Sequence, residues 1–302
     1  MAYVAIAGGV NVDIGAQPHQ KLRAMDSNPG HVHTSLGGVG RNIAHNLRLL
    51  GAEVELLTAL GGDGYARAME ESCASLGIGL THALRVPDVR TSVYVYINDE
   101  YGNMRLAVSD MSICDHLTPD YFAANLAALN GAELVIADAN LPTESLFFLA
   151  EHLSVPLFVD PVSASKAEKL VPILPKIHTL KPNALEAELL SGVPVVDRGS
   201  ARRAARKLID LGVDQVFLSL GKEGFLAVAE DETVWQPALP VALKSATGAG
   251  DALMAALAWS YLRGESLSRA ASLGAAAAAI TVESEDTIEP TLSAEAVLAR
   301  AE

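Results

Sequence analysis

The chain has 302 residues, of which 50% are apolar and 19% are charged. This composition excludes an intrinsically disordered protein, and the length predicts one large domain or two ordinary ones. The formal net charge of −14 disfavours non-specific binding to nucleic acid, because phosphates would be repelled, but it permits a small anionic ligand in a locally positive site.

The sequence predicts a cytoplasmic protein that does not enter a membrane. The first basic residue is Lys21, so no charged leader precedes the apolar start, and no apolar stretch is long enough to span a bilayer. The two cysteines, Cys73 and Cys114, lie far apart and match no metal-binding spacing. We expect both to be buried thiols in a reducing compartment.

Short apolar runs typical of strands alternate along the chain with stretches in which apolar residues have helical spacing. The predicted strands are residues 3–7, 54–60, 134–137, 156–159, 178–180 and 216–220. The predicted helices are residues 42–50, 65–76, 201–211 and the alanine-rich 270–279. Continuous apolar strands alternating with helices indicate an α/β fold, with a mainly parallel central sheet covered on both faces.

Residues 13–36 and 89–110 interrupt this alternation with short, polar-rich strands. Residues 91–98, for example, have the period of a half-buried strand. These segments predict either a small accessory sheet, such as a lid over a site, or a decorated edge of the main sheet. No linker or internal repeat divides the chain, so we treat residues 1–302 as one domain.

The first candidate for chemistry is the glycine-rich turn at residues 247–251, which runs directly into an apolar helix. Gly248 and Gly250 allow the backbone to approach a ligand, and the amides at a helix start favour an anion. A carboxylate beside such a site suits a general base, so Asp251 is a candidate. The alternative is an ordinary acidic residue at a helix start.

Two further motifs follow predicted strands. Asn183 and Glu186 are three residues apart, so they share a helical face and can hold water around Mg²⁺, or they can form a capping box. Ser219, Gly221 and Gly224 form a turn that can accept a nucleotide or simply begin a hairpin.

The amino-terminal part contains a candidate sugar site. Asn11, Asp13 and Asn42 combine a carboxylate with amides, which satisfy a diol by accepting and donating hydrogen bonds. A dinucleotide site is disfavoured, because Gly8 and Gly9 lack the Gly-x-Gly-x-x-Gly order after the first strand.

Taken in this order, these motifs resemble those of the PfkB carbohydrate-kinase family, also called ribokinase-like, from Val4 to about Pro290. Gly37, Gly38 and Asn42 resemble its first signature, and residues 247–251 resemble its second. The resemblance implies a three-layer α/β/α domain with a small β-sheet lid. It also implies ATP, Mg²⁺ and a small-molecule substrate.

The resemblance also assigns roles to residues. Asp251 would be the catalytic base, and Gly248, Ala249 and Gly250 would form the anion hole. The residues implied to bind ATP are Asn183, Ser219, Gly221, Gly224, Thr247 and Gly248. Asn183 and Glu186 would serve the metal. The residues implied to bind the sugar are Asn11, Asp13, Gly38 and Asn42.

One departure from the family pattern concerns a monovalent cation. The family often has aspartate and then threonine where this chain has Ser245 and Ala246. Because the aspartate commonly helps to hold the cation, we expect weak dependence on K⁺.

Within the family, the chain resembles the pseudouridine kinases, on residues 26–30, 38–44, 110–111, 160–164 and 177–183. This implies that the 5′-hydroxyl of pseudouridine is phosphorylated, with Ser27 or Asn28 reading the base. Alternatively, residues 26–30 form a lid turn without ligand contact. A kinase for ribose, fructose or a purine nucleoside, and a non-catalytic sensor, remain open. A homodimer through exposed lid edges is a further expectation.

Overall fold

The computed structural model describes residues 2–302, which form fourteen strands and eleven α-helices. The strands are β1 (Val4–Ala7), β2 (Asn11–Pro18), β3 (Gly30–Gly37), β4 (Val54–Leu57), β5 (Ala59–Gly61), β6 (Leu84–Val86), β7 (Val93–Asn98), β8 (Met104–Asp110), β9 (Leu134–Asp138), β10 (Leu157–Asp160), β11 (Thr179–Leu180), β12 (Gln215–Ser219), β13 (Phe225–Val228) and β14 (Thr233–Gln236). The helices are α1 (Val39–Leu49), α2 (Gly64–Leu76), α3 (Pro119–Ala124), α4 (Leu126–Asn130), α5 (Thr143–His152), α6 (Ala164–Ala167), α7 (Ala184–Ser191), α8 (Arg198–Asp210), α9 (Ala249–Leu262), α10 (Leu267–Val282) and α11 (Ala294–Arg300).

Eight strands form the central sheet, in the order β14-β13-β12-β11-β10-β9-β1-β4. The six strands from β4 to β12 are parallel, and β13 and β14 complete one edge as antiparallel strands. Alternate residues of β1 enter two separate apolar clusters. Val4 and Ile6 pack on the side of α1, α9 and α10, whereas Ala5 and Ala7 pack on the side of α5 and α8. The predicted three-layer α/β/α fold with a mainly parallel sheet is therefore confirmed.

Helix termini follow the chemistry of the sequence. Asp63 caps the amino end of α2 by accepting a hydrogen bond from the amide of Ala66, and α2 ends at Gly77 in the left-handed conformation. The predicted alanine-rich helix is α10, which packs closely on α9. A side chain at Gly274 would collide with Leu253 of α9, so the small residue permits this approach.

The second sheet has four strands, in the order β3-β2-β7-β8. It lies within the segments for which the sequence predicted an accessory sheet. One face has polar and aromatic side chains such as His33 and Tyr96, which are hydrogen-bonded to each other. The other face is apolar and open to solvent, with Val32, Leu106 and Val108 more than 60% exposed. The single-domain description and the role of this sheet as a lid stay predictions.

One predicted strand divides in two. Residues 54–60 form β4 in the central sheet and β5, which pairs with β6 in a two-stranded parallel sheet. The change of sheet occurs at Thr58, whose carbonyl accepts a hydrogen bond from the amide of Leu84 rather than from β1.

Two further observations concern residues 2–302. Each of their helices is too short or too polar to cross a membrane. Cys73 and Cys114 are both buried free thiols, as predicted.

Candidate active site

Polar side chains collect where the parallel strands of the central sheet end. Asp138 is the last residue of β9, Asp160 is the last residue of β10, and Lys181 directly follows β11. Ligands of open α/β sheets bind at this carboxyl edge. The amino end of α9 meets the same edge, because Gly250 in its first turn lies against Lys181.

The amino end of α9 has the geometry of an anion site. Gly248 caps the helix with φ +83°, and a side chain there would collide with the carbonyl oxygen of Thr287. Ala249, Gly250 and Asp251 are the first three helical residues, whose amides have no partner within the helix. These amides and the helix dipole favour a bound anion.

Asp251 is held at this site in a form suited to proton transfer. Its Oδ2 atom accepts a hydrogen bond of 2.9 Å from Nδ2 of Asn42. Burial, and then the charge of Asp160, raise the pKa of Asp251 to about 7, although the Asn42 bond and Lys181 act in the opposite direction. A carboxylate with a pKa near neutrality is an effective general base.

Lys181 is a buried cation beside the anion site. Its Nζ atom lies 3.1 Å from Oδ2 of Asp160, and both side chains are less than 10% exposed. A Cβ atom at Gly250 would lie 3.1 Å from the same Nζ atom. Burial disfavours the ammonium, but the carboxylates of Asp160, Glu186 and Asp251 outweigh it and raise the pKa of Lys181. Lys181 therefore stays protonated.

The backbone next to Asp160 is strained. Val162 has φ +66°, a left-handed conformation that is an outlier for a β-branched residue. Its amide donates a hydrogen bond of 2.8 Å to Oδ1 of Asp160. The strained turn thus fixes the carboxylate that faces Lys181, and such strain is typical of functional sites.

Asp138 joins the two glycine-rich segments of the amino-terminal part. Its Oδ2 atom accepts hydrogen bonds from the amides of Gly9, at 2.8 Å, and Gly40, at 3.1 Å. A side chain at Gly8 would collide with this carboxylate. These glycines therefore serve close packing around a buried carboxylate.

The structure brings together part of the predicted sugar site. Nδ2 of Asn11 donates a hydrogen bond of 2.7 Å to Oδ1 of Asp13, and burial raises the pKa of Asp13. Gly38, with φ +99°, packs against the backbone of Val10 and Asn11. Asn42 belongs with the candidate base rather than with the Asn11–Asp13 pair, because its side chain donates a hydrogen bond to Asp251.

The structure does not bring Ser27 and Asn28 into this cluster. Oδ1 of Asn28 accepts a hydrogen bond from the amide of Arg23, and its Nδ2 atom donates to the carbonyls of Arg23 and Asp26. The loop side chains thus bind their own loop. This geometry is that of the alternative, a turn without ligand contact.

Four of the six predicted nucleotide residues, Asn183, Ser219, Gly221 and Gly224, lie at or just after the ends of β11 and β12. The amide of Ser219 donates a hydrogen bond to the carbonyl of Pro182, which places Ser219 beside Asn183. Gly221 and Gly224 form the tight turn of the β12–β13 hairpin, with φ values of +56° and +99°. Thr247 precedes the cap of α9 and is exposed. The roles of these residues toward ATP stay predictions.

Asn183 and Glu186 form a capping box. Oδ1 of Asn183 accepts from the amide of Glu186, and Oε2 of Glu186 accepts from the amide of Asn183. The capping alternative is therefore present in the fold. The same arrangement fits Mg²⁺, because the buried carboxylate has a second oxygen, and Mg²⁺ takes one or two carboxylates and fills its other positions with water and phosphate oxygens.

Residues 2–302 contain no group of three or more histidine, cysteine or acidic side chains arranged to bind a metal. The metal assignment of Asn183 and Glu186 stays a prediction, as does the weak K⁺ dependence expected from Ser245 and Ala246. Ser245 accepts a hydrogen bond from the amide of Thr247 through its hydroxyl oxygen.

The sequence analysis assigned no role to three buried charges, those of Asp138, Asp160 and Lys181, although Asp160 and Lys181 lie in segments that carry the resemblance. Each one ends or directly follows a predicted apolar strand. The rule that ligands bind at the carboxyl edge of a parallel sheet would have found all three.

The sequence and the fold were compared with known proteins. The family model described as pfkB family carbohydrate kinase matches residues 1–294. The chain belongs to the pfkB family. It is therefore a kinase of sugars or nucleosides. The pseudouridine kinase of Escherichia coli is 36% identical over 96% of this chain and 94% of its own length.

Two other proteins are similarly close. The sugar kinase YeiI of Escherichia coli is also 36% identical, over 98% of this chain and 82% of its own length. The solved structure of a carbohydrate kinase from Agrobacterium tumefaciens is 30% identical and has a TM-score of 0.88, with 100% of this chain and 97% of that chain covered. These matches establish the family and leave the substrate open.

The raised pKa of Asp251 predicts a pH dependence of catalysis. Because the base acts when deprotonated, kcat/KM should be constant above pH 7 and fall about tenfold per unit below it. Replacing Asn42 with alanine removes a hydrogen bond that lowers the pKa of Asp251. In the Asn42→Ala variant, kcat/KM should therefore begin to fall at a higher pH than in the parent. Steady-state rates from pH 5 to 9 measure both limbs, with Asn103→Ala in the β7–β8 turn as the control. A profile flat down to pH 5 would remove Asp251 as the titrating base.

Proposed function

We propose that this kinase transfers the γ-phosphoryl group of ATP to the 5′-hydroxyl of pseudouridine. The observation that carries the proposal is the carboxylate of Asp251, which lies in the first turn of α9 and is hydrogen-bonded to Asn42. A carboxylate at an anion site costs stability, which is explained if it takes a proton from an attacking hydroxyl. Family membership and this geometry favour catalysis over a non-catalytic sensor.

The transfer follows from the positions of these groups. Asp251 takes the proton of the 5′-hydroxyl while the oxygen of that hydroxyl attacks the γ-phosphorus. The bond from the γ-phosphorus to its bridging oxygen breaks, and that electron pair leaves with ADP. Phosphoryl transfer depends mainly on positioning and charge stabilisation. The amides of Ala249 and Gly250 then stabilise the negative charge on the transferred group.

Lys181 supplies positive charge to the same group. Asp160 engages one of its three donors, and its Nζ atom lies beside Gly250 in the anion site. The buried pair with Asp160 holds the ammonium in place without occupying the other donors. Lys181 therefore contributes charge stabilisation that the glycine motif alone does not provide.

Asn183 and Glu186 are proposed to serve Mg²⁺–ATP. Mg²⁺, when bound, neutralises phosphate charge. The capping box fixes the Glu186 carboxylate next to the amino end of α7, and Ser219 lies beside Asn183. The ATP phosphates would thus run from the β12–β13 turn, with Gly221 and Gly224, toward the anion site at α9.

The substrate assignment rests on the sugar residues and on similarity. The Asn11–Asp13 pair offers an acceptor and a donor to the two hydroxyls of a ribose, with Gly38 beneath it. The match to the pseudouridine kinase of Escherichia coli over nearly both whole chains favours a nucleoside substrate. The second candidate is a different sugar or nucleoside, because YeiI shows the same identity to this chain.

The proposal also includes a cytoplasmic location and a homodimer. Two buried free thiols suit a reducing compartment. The exposed apolar face of the four-stranded sheet, with Val32, Leu106 and Val108, is suited to contact with a second copy.

Removing the carboxylate tests the base. Asp251→Asn should lower kcat by about 10²–10⁴-fold. The pKa of Asp251 in the folded protein, about 7, lies above its ordinary value of 3.8. Ionisation of Asp251 therefore lowers the free energy of unfolding as pH rises from 3.8 to about 7, and the loss is constant above that pH. At pH 8 the variant should therefore melt at the same or a higher temperature than the parent. Turnover within threefold of the parent would remove Asp251 from the role.

Glu186→Gln tests the metal role, because glutamine retains the capping box while it removes the charge. The Mg²⁺ concentration for half-maximal rate should rise at least about tenfold. The KM for nucleoside should stay within about twofold. Glu188→Gln, on the same helix, is the control. An unchanged Mg²⁺ requirement would leave Glu186 with a capping role only.

A substrate panel tests the assignment directly. Pseudouridine, uridine, adenosine, ribose and fructose would each be incubated with Mg²⁺–ATP, and phosphorylated products measured by mass spectrometry. Pseudouridine should exceed uridine in kcat/KM by at least about a hundredfold. Equal or greater activity on any other compound would refute the pseudouridine assignment and leave the family-level function intact.

A further inference from the structure

A hydrogen-bonded pair of rings lies on one face of the four-stranded sheet. Nε2 of His33, on β3, lies 2.8 Å from the hydroxyl oxygen of Tyr96, on β7. The ring centroids are 5.8 Å apart and the rings are nearly perpendicular. Both residues pair in register with Gly15 of the intervening strand β2. All three residues therefore lie on the same face.

Gly15 makes room for this pair. A Cβ atom at Gly15 would lie 2.6 Å from Cζ of Tyr96 and would collide with the ring of His33. The two rings thus close over the glycine backbone. Any larger residue at position 15 would push the two rings apart, so the pair requires glycine there.

The pair continues the face that carries the sugar residues. Asp13 precedes Gly15 by two residues on β2, so both residues point to the same face, about 7 Å apart along the strand. Burial and then the charge of Asp13 raise the pKa of Tyr96, which indicates that the carboxylate lies near the phenol. A nucleoside whose ribose contacts Asp13 would place its base toward the rings.

The pair has the hydrogen-bonding capacity to read a base edge. If Tyr96 donates to Nε2 of His33, then Nδ1 of His33 is a donor and the phenol oxygen is an acceptor. If Nε2 donates instead, then Nδ1 is an acceptor and the phenol is a donor. Either tautomer leaves one donor and one acceptor, which match the adjacent carbonyl and N–H of a pyrimidine dione.

We propose that the His33–Tyr96 pair, and not Ser27 or Asn28, reads the base of the nucleoside. This inference rests on the proposed nucleoside kinase function. Asn28 cannot do so in this fold without breaking its bonds to Arg23 and Asp26. Pseudouridine presents N1–H where uridine presents C–H. Uridine would therefore leave the acceptor of the pair without a partner once the bound base covers it from water, which costs affinity.

The test compares variants on three substrates: pseudouridine, N1-methylpseudouridine, which lacks the N1–H donor, and uridine. Tyr96→Phe and His33→Gln should each lower the preference for pseudouridine over N1-methylpseudouridine by at least about tenfold, through KM. Values of kcat and of KM for ATP should stay within about twofold. A merely structural role would change all substrates equally and leave the preference intact.

Matched controls lie on the same face. Tyr94→Phe removes a hydroxyl that bonds to Met104, and His31→Gln removes a ring that packs on His19. Both control variants should keep the parental preference. If Tyr96→Phe also keeps it, the pair does not read the base, whereas the pseudouridine assignment survives.

If pseudouridine is not the substrate, the variants should give different kinetic results from those expected above. If the parent enzyme prefers another nucleoside, Tyr96→Phe should still raise KM for that nucleoside about tenfold, and an unchanged KM would overturn the inference. If the parent enzyme phosphorylates free sugars but no nucleoside, both the proposed function and the role of the pair are refuted.

Discussion

An excess of negative charge at the carboxyl edge of the central sheet governs the site. Asp138, Asp160 and Asp251 all lie at this edge, and the buried cation Lys181 forms a salt bridge with Asp160. The charge of Asp160 disfavours ionisation of Asp138 and Asp251, because little water screens the charges there. Asp160 has the salt bridge with Lys181, and Asp138 accepts hydrogen bonds from backbone amides. Asp251 accepts its hydrogen bond from the side chain of Asn42, and burial, followed by the charge of Asp160, raises its pKa to about 7. A base that operates at physiological pH follows from burial together with that imbalance of charge.

The fold supplies this imbalance through its topology. Parallel strands must all end at one edge, so the residues after β9, β10 and β11 converge although they are distant in sequence. The amino end of α9 brings an anion site to the same place. The four-stranded sheet grows from β2, directly after the first parallel strand, and therefore places the Asn11–Asp13 pair next to α1. Asn42, on the same helix, donates a hydrogen bond to Asp251.

The sequence predicted the layers of the fold and the glycine-rich start of α9, because these depend on local patterns. A short stretch of sequence is enough to predict the apolar strands, the helices that end at glycine and the glycine-rich start of α9. The Lys181–Asp160 pair was not predicted, since its partners are twenty-one residues apart in sequence and meet only through adjacent strands. The hydrogen bonds of Asn28 within its own loop were also not visible in the sequence, because they join it to the backbone of Arg23 five residues away.

The most direct measurement of the central claim is the ionisation of Asp251 itself. Protein labelled with ¹³C at the aspartate carboxyls would be titrated by NMR, with Asp251→Asn to assign the resonance. The account predicts one carboxyl that titrates at about pH 7 and disappears in the variant. If every aspartate that titrates does so near the ordinary value of 3.8, and the variant removes one of those, the charge imbalance does not tune the base and the account is contradicted.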